Sequence, residues 1–186
     1  TTNPIAGTRP RGQDEREDKA LAKELLADEK EVAEHRMLVD LGRNDIGKIA
    51  QNNSVEVTKY MEVEYFRYVM HLTSVVRGQL LPQLTAMDAL KSTLPAGTVS
   101  GAPKIRAMKR IYELEQEKRG VYAGAIGYLS ATGDMDVAIA IRTMILKNGR
   151  AYVQAGAGIV YDSIPANEYQ ETINKAKSMT KIGEMQ

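Results

Sequence analysis

The chain predicts an α+β fold whose strands pair mostly antiparallel. Alternating, β-branched and aromatic runs such as "VEVTKYMEVEY" and "VMHLTSVV" mark strands. Turn signals separate such runs, and "KNGR" is a hairpin turn of the Asn-Gly type. Helical stretches are grouped between runs of strands, which argues against a parallel βαβ array.

The elements follow in order. "TTNPIAGTRPRG", residues 1–12, reads as the end of a strand entering a loop. It opens on Thr1 and carries no signal peptide, so the chain is expected to be a fragment without its upstream part. Residues 9–38 open as a loop and become one long helix, with Leu21, Leu25, Val32 and His35 at near-helical spacing on one face. The charged run 14–19 is its solvated first turn. "GRND", residues 42–45, is a helix stop followed by a new start. The stretch 55–81 holds two or three strands, and in the last of them His71, Thr73 and Val75 share a face. "TAMDALKS" is a short helix opened by a Thr85/Asp88 capping box. Next come a loop, "PAGTVSGAPK", and a helix with Pro103 near its first turn and Gly120 past its end. Residues 121–160 hold three strands, with "TGDMD" turning between the first two and "KNGR" between the second and third. Pro165 opens a closing helix that runs to Gln186. Neither a repeat nor a linker is visible, and residues 1–186 read as one domain.

Composition narrows the chemistry. With 186 residues the chain is long enough for a sizeable core. Its 25 basic and 24 acidic residues leave a net charge of +1, which gives no reason to expect nucleic acid or an anionic membrane as partner. No apolar run is long enough to cross a bilayer. Zero cysteines exclude a disulfide framework or a thiolate nucleophile, and two histidines alone cannot build a zinc site. The composition fits a cytoplasmic protein.

Several residue groups are suited to chemistry. Glu31 and Glu34 stand three apart on a predicted helix and project from one face, and Glu168 and Glu171 repeat the arrangement. Alone, each pair reads as a solvated helix face. Facing one another, they would suit Mg²⁺, a hard cation that takes one or two carboxylates and keeps several waters. His71 is either a satisfied boundary residue or a proton donor near a leaving hydroxyl. Thr98, Ser100 and Gly101 precede a helix start, which is either an ordinary capped loop or a place for an anion. The glycines of "QAGAG" would let a carboxylate approach the backbone, but they lack the strand–GxGxxG–helix context of a dinucleotide site. Arg142, among apolar neighbours, needs an internal acid or a substrate carboxylate. The residues by themselves stop at a binder of a small polycarboxylate and leave Mg²⁺ open.

Six stretches carry a resemblance beyond this. "PIAGTRPRG", "EHRMLVDLGRNDIGKI", "YVMHLTSVVRGQL", "LPAGTVSGAPKIRAM", "GAIGYLSATGDMDVAIAIRT" and "QAGAGIVYDSIPANEYQET" occur in order and cover nearly the whole chain. Together they resemble the chorismate-utilising enzymes, most closely the large subunits (component I) of the anthranilate synthases. The resemblance implies a two-layered, mostly antiparallel β-sheet sandwich flanked by helices, of which this chain would be the C-terminal part. It implies amination of chorismate by ammonia and loss of pyruvate to give anthranilate, the first step of tryptophan biosynthesis. It also implies that Glu34 and Glu171 ligate Mg²⁺, with Glu31 and Glu168 holding its waters. His71 and Thr98 would sit near the ring and the leaving hydroxyl. Tyr122, Arg142 and the backbone at Gly156, Ala157 and Gly158 would bind the enolpyruvyl carboxylate, with Lys175 within reach of the carboxylates. Ala6 stands where aminodeoxychorismate synthases typically carry lysine, and "PIAGT" leaves room for ammonia. Aminodeoxychorismate, aminodeoxyisochorismate and isochorismate synthases remain alternatives, as does an excised piece without activity. Because the chain has no cysteine, ammonia from glutamine would come from a separate amidotransferase subunit (component II). The tryptophan site for feedback inhibition would lie upstream.

Overall fold

A computed structural model describes residues 1–161 and 163–180. The last six residues of the expected closing helix, 181–186, lie outside the described residues. The chain divides into two compact units, Thr1–Thr93 and Leu94–Gln186.

In the first unit, β1 (Ile5–Pro10), β2 (Glu56–Tyr65) and β3 (Val69–Arg77) form an antiparallel sheet in the order β1-β3-β2. The β2–β3 hairpin turns at Phe66–Tyr68, and the Phe66 amide donates to the Val69 carbonyl at 2.8 Å. Met70, Leu72, Ser74 and Val76 point to the covered face of β3 and are buried, as period-two alternation requires. Helices α1 (Glu15–Ala27) and α2 (Glu29–Gly47) belong to this unit. Leu25, Met70 and Leu72, each 0% exposed, form one apolar cluster with Ala22, and Val39, Ile46, Ala50 and Val76 form a second. Burying one such leucine contributes about 1.5–3 kcal/mol.

The single long helix expected here is two helices. Asp28 ends α1, and its carboxylate accepts the amides of Lys30 and Glu31 to start α2. A side chain that caps so well competes with helix continuation. Nor does Gly42 stop anything, because α2 continues to Gly47. A Cβ on Gly42 would lie 3.0 Å from Thr2 Cγ2, so the glycine admits a close neighbour rather than ending the turn. Helix α3 (Ala86–Thr93) opens on the expected Thr85/Asp88 box: the Thr85 amide donates to Asp88 at 2.9 Å and the Asp88 amide to Thr85 Oγ1 at 3.3 Å.

The second unit starts with a single-turn helix, α4 (Gly97–Ser100), inside the expected loop, and α5 (Lys104–Leu114) follows Pro103 as expected. Helix α5 ends at Leu114, so Gly120 is not its C-terminal cap but sits in the following turn at φ +60°. Four strands stand where three were expected. β4 (Ala125–Leu129) pairs antiparallel with β5 (Met135–Ile139), and β6 (Met144–Lys147) pairs with β7 (Arg150–Val153). The "KNGR" turn joins β6 and β7 with Asn148 and Gly149 both at positive φ, the geometry that Asn-Gly favours. The expected middle strand breaks at residues 140–143, where Arg142 adopts φ +52°. Helix α6 (Pro165–Thr180) closes the described chain. The class is α+β with antiparallel pairing throughout, as the sequence predicts.

Candidate functional site

In the first unit, a bulge in β1 sets the position of His71. Ala6 pairs with Leu72, whereas Thr8 pairs with the neighbouring His71, so Gly7 is the extra residue. Gly7 has φ +78°, and a Cβ there would press on Leu72 Cδ1 at 3.1 Å and Leu25 Cδ1 at 3.2 Å, which leaves glycine as the residue that fits. The imidazole Nδ1 of His71 lies 3.0 Å from Thr8 Oγ1 and 3.2 Å from the Gly7 carbonyl oxygen. A carbonyl only accepts, so Nδ1 carries a proton, and Nε2 is the nitrogen left to face another group. Phe66 packs against the ring at 5.5 Å. His71 is therefore a half-buried base with an oriented free nitrogen.

Glu31 and Glu34 lie on α2, just past the Asp28 cap. Burial pushes the Glu31 carboxyl above the usual range, and the charges of Glu34 and Asp28 push the same way, while Arg9 opposes them. Arg9 reaches from β1 to the helix junction, with Nε 2.9 Å from Glu24, Nη2 2.8 Å from Asp28 and Nη1 3.9 Å from Glu31. A half-buried pair of like charges, with its cation committed mostly elsewhere, is suited to a hard divalent ion.

The second unit brings five of the expected residues together. Lys175 pairs with Glu171 one turn earlier on α6, and its Nζ donates to the Gly156 carbonyl at 3.1 Å. Arg142 Nη1 donates to the Lys175 carbonyl at 3.0 Å, and the backbone turn at Arg142 makes that reach. The acceptor expected for Arg142 is thus a main-chain oxygen. A Cβ on Gly156 would lie 3.0 Å from the Tyr122 hydroxyl, so the glycine allows the phenol and the backbone to meet. Burial pushes the Tyr122 phenol up, and the charges of Arg119 and Arg142 act against it. Gly156, Tyr122, Arg142, Lys175 and Glu171 therefore converge, with two cations beside a glycine backbone.

The remaining expected residues are placed as follows. Ala157 and Glu168 line a cavity of about 320 Å³, walled mostly by Ile159, Val160, Pro165 and Tyr169. Glu168 is 8% exposed as a residue, and its side chain borders that cavity. Gly158 is exposed after β7, and Thr98 is exposed on α4. Within each unit, the described residues include no ready-made group of three or more His, Cys, Asp or Glu side chains in ligating geometry.

Three contributors were not singled out from the sequence. Thr8 holds His71. Arg119 donates to the Val99 carbonyl at 2.6 Å, pairs with Glu115 and stands 5.7 Å from the Tyr122 ring centroid. Its signal was the i,i+4 pair in "EQEKR". Spacing places His35 on a helix face, and there it hydrogen-bonds Ser74 in the core.

The chain matches the sequence model of the chorismate binding enzymes over residues 1–181. It is 66% identical to the anthranilate synthase component 1 of Lactococcus lactis over 99% of its own length and 40% of that protein, and 60% identical to that of Pseudomonas aeruginosa over 96% and 36%. The chain thus spans about two fifths of the length of the curated relatives it matches. Among solved structures, anthranilate synthase component I from Streptococcus pneumoniae superposes with a TM-score of 0.89 at 83% identity, over 96% of this chain and 39% of that one. The menaquinone-specific isochorismate synthase of Escherichia coli superposes at 0.85 with 28% identity, over 96% and 41%. The match to the family model over nearly the whole chain and these relatives show that the chain belongs to the chorismate binding enzyme family.

Proposed function

We propose that the chain is the C-terminal part of the single catalytic domain of an anthranilate synthase component I, which aminates chorismate with ammonia and eliminates pyruvate to give anthranilate. The observation that carries the reading is the convergence of Tyr122, Arg142, Gly156, Glu171 and Lys175 in the second unit. A carboxylate seated against the Gly156 backbone would meet the Arg142 guanidinium and the Tyr122 hydroxyl, a charged and directional pair of donors. Gly158 and Ala157 continue that backbone, and Ala157 borders the cavity.

Glu34 and Glu171 would hold Mg²⁺, with Glu31 and Glu168 on its waters, and the raised Glu31 carboxyl and the place of Glu168 at the cavity edge support that role. When bound, Mg²⁺ neutralises the ring carboxylate and favours departure of the ring hydroxyl by polarisation. His71, with its Nδ1 proton held by Gly7, offers Nε2 to move a proton at the ring or its leaving hydroxyl, and Thr98 is a second proposed contributor at that hydroxyl. Lys175 keeps the Gly156 carbonyl and Glu171 in place. Ala6 provides no amine to compete with ammonia, which favours this reading over aminodeoxychorismate and isochorismate chemistry. Ammonia would come from an amidotransferase partner subunit in the cytoplasm. Among the described residues, no helix is long and apolar enough to cross a membrane.

The test is anthranilate fluorescence after addition of chorismate, Mg²⁺ and ammonium, made on this chain and on a version extended to the length of its relatives. Glu171→Gln is expected to lower the rate by about 100-fold or more, and Ala6→Lys to change the product. Full activity of Glu171→Gln, or no anthranilate from the extended version, would defeat the assignment.

A further inference from the structure

Both outer strands of the first sheet are bulged, and the two bulges share one buried polar pair. β1 steps past Gly7 between Ala6 and Thr8, and β2 shifts register between Lys59 and Glu62, where Met61 adopts φ +51°. Between them, β3 turns Ser74 inward, 0% exposed, to meet His35 of α2, also 0% exposed. Ser74 Oγ accepts the Met61 amide at 2.9 Å and lies 2.7 Å from His35 Nε2. The Ser74 amide donates to the Pro4 carbonyl at 3.0 Å, on the β1 side. Ser74 Oγ has one proton and two lone pairs, so it accepts the Met61 N–H and still bonds Nε2 in either direction, which leaves Nδ1 as the ring's other nitrogen. That nitrogen has no partner in hydrogen-bond geometry, and the Ala6 backbone is the polar group acting on it. From the helix of the acidic pair, His35 thus bonds the central strand, reaches the β2 bulge through Ser74 Oγ and has the Ala6 backbone of the β1 bulge beside it.

An apolar residue of similar size would fill this site without leaving Nδ1 unpaired. The pair therefore serves something other than core stability. We infer that His35 is a positioning residue: through Ser74 Oγ it fixes the β2 bulge, against the Ala6 backbone it fixes the β1 bulge, and so it holds the register that sets Thr8 against His71. Without the β1 bulge, Thr8 would move one pairing position along β3, and the side chains beyond it would change face. The inference rests on the reading of His71 as the proton-moving group.

The test compares His35→Leu, Ser74→Ala and His35→Gln in the version extended to the length of its relatives. Glutamine places its side-chain amide near the Nε2 position and restores a partner for Ser74. Hydrogen exchange is followed on a peptide covering residues 56–65, and the ring nitrogens of His71 by NMR of ¹⁵N-histidine. His35→Leu and Ser74→Ala are expected to speed exchange at Met61 by about tenfold or more and to shift the His71 signals. They are also expected to lower kcat by about tenfold with KM for chorismate little changed, and His35→Gln to restore all three. A purely structural role would lower the melting temperature and leave kcat intact where the protein is folded. Unchanged exchange and unchanged His71 signals in His35→Leu would overturn the inference. Neither readout needs Mg²⁺ or chorismate, so each judges the clamp even if wild type makes no anthranilate.

Discussion

Asp28 does two things at once, and two substitutions separate them. Its carboxylate accepts the Lys30 and Glu31 amides, both at 3.1 Å, and takes Arg9 Nη2 at 2.8 Å. Asp28→Asn keeps a good helix cap and loses the ion pair, whereas Asp28→Ala loses both. A lost cap costs about 1 kcal/mol. The Arg9 pair, with side chains 19% and 31% exposed, contributes about 1 kcal/mol after screening. Asparagine should therefore cost about 1 kcal/mol and alanine about 2. With a urea slope of about 2 kcal/mol per M, the midpoints fall by about 0.5 and 1 M. Acidity gives a second check. The Glu31 amide first, then Arg9, holds the Asp28 carboxyl below its usual range in the folded chain. A depressed folded pKa means that the stabilisation is complete above the unfolded value of about 3.9 and fades as pH falls through the folded one. The gap between wild type and Asp28→Asn should be equal at about pH 7 and pH 5 and close below about pH 4. If asparagine costs as much as alanine, or the gap closes already near neutrality, the division into cap and ion pair is wrong.

Gly7→Ala should destabilise by about 1.5–3 kcal/mol in the same denaturation assay, because alanine must adopt positive φ and displace Leu72 or Leu25. Gly156→Ala should leave the melting temperature within a few degrees but raise KM for chorismate by about tenfold, since its Cβ crowds the Tyr122 hydroxyl from 3.0 Å. A change in kcat alone would place Gly156 away from the carboxylate.

Local chemistry was legible where it closed within a few residues. The Thr85/Asp88 box and the Asn148-Gly149 turn are complete in four letters each, and both stand as read. The break at Asp28 had a signal too, an acid followed three residues later by Glu31, but the continuous apolar face of Leu21, Leu25 and Val32 masked it. The break at Arg142 had none: no Gly or Pro marks it, and only the Lys175 carbonyl 33 residues away explains the turn of the chain. The carboxylate pairs could be placed on helix faces by spacing, yet the burial of Glu168 and the rise of Glu31 depend on packing that spacing does not encode. His71 could be placed on a strand face, but not its tautomer, which depends on a bulge one strand away.

Three cations of the second unit, Arg119, Arg142 and Lys175, each rest on a main-chain oxygen: those of Val99, Lys175 and Gly156. A peptide carbonyl is the one acceptor that point mutation does not delete. The residue at Val99 can therefore drift among types that keep the same backbone path while Arg119 stays aimed. Such neutrality lets descendants explore new side chains around these three charges without first losing the charges themselves, which makes this rim a natural starting point for directed evolution.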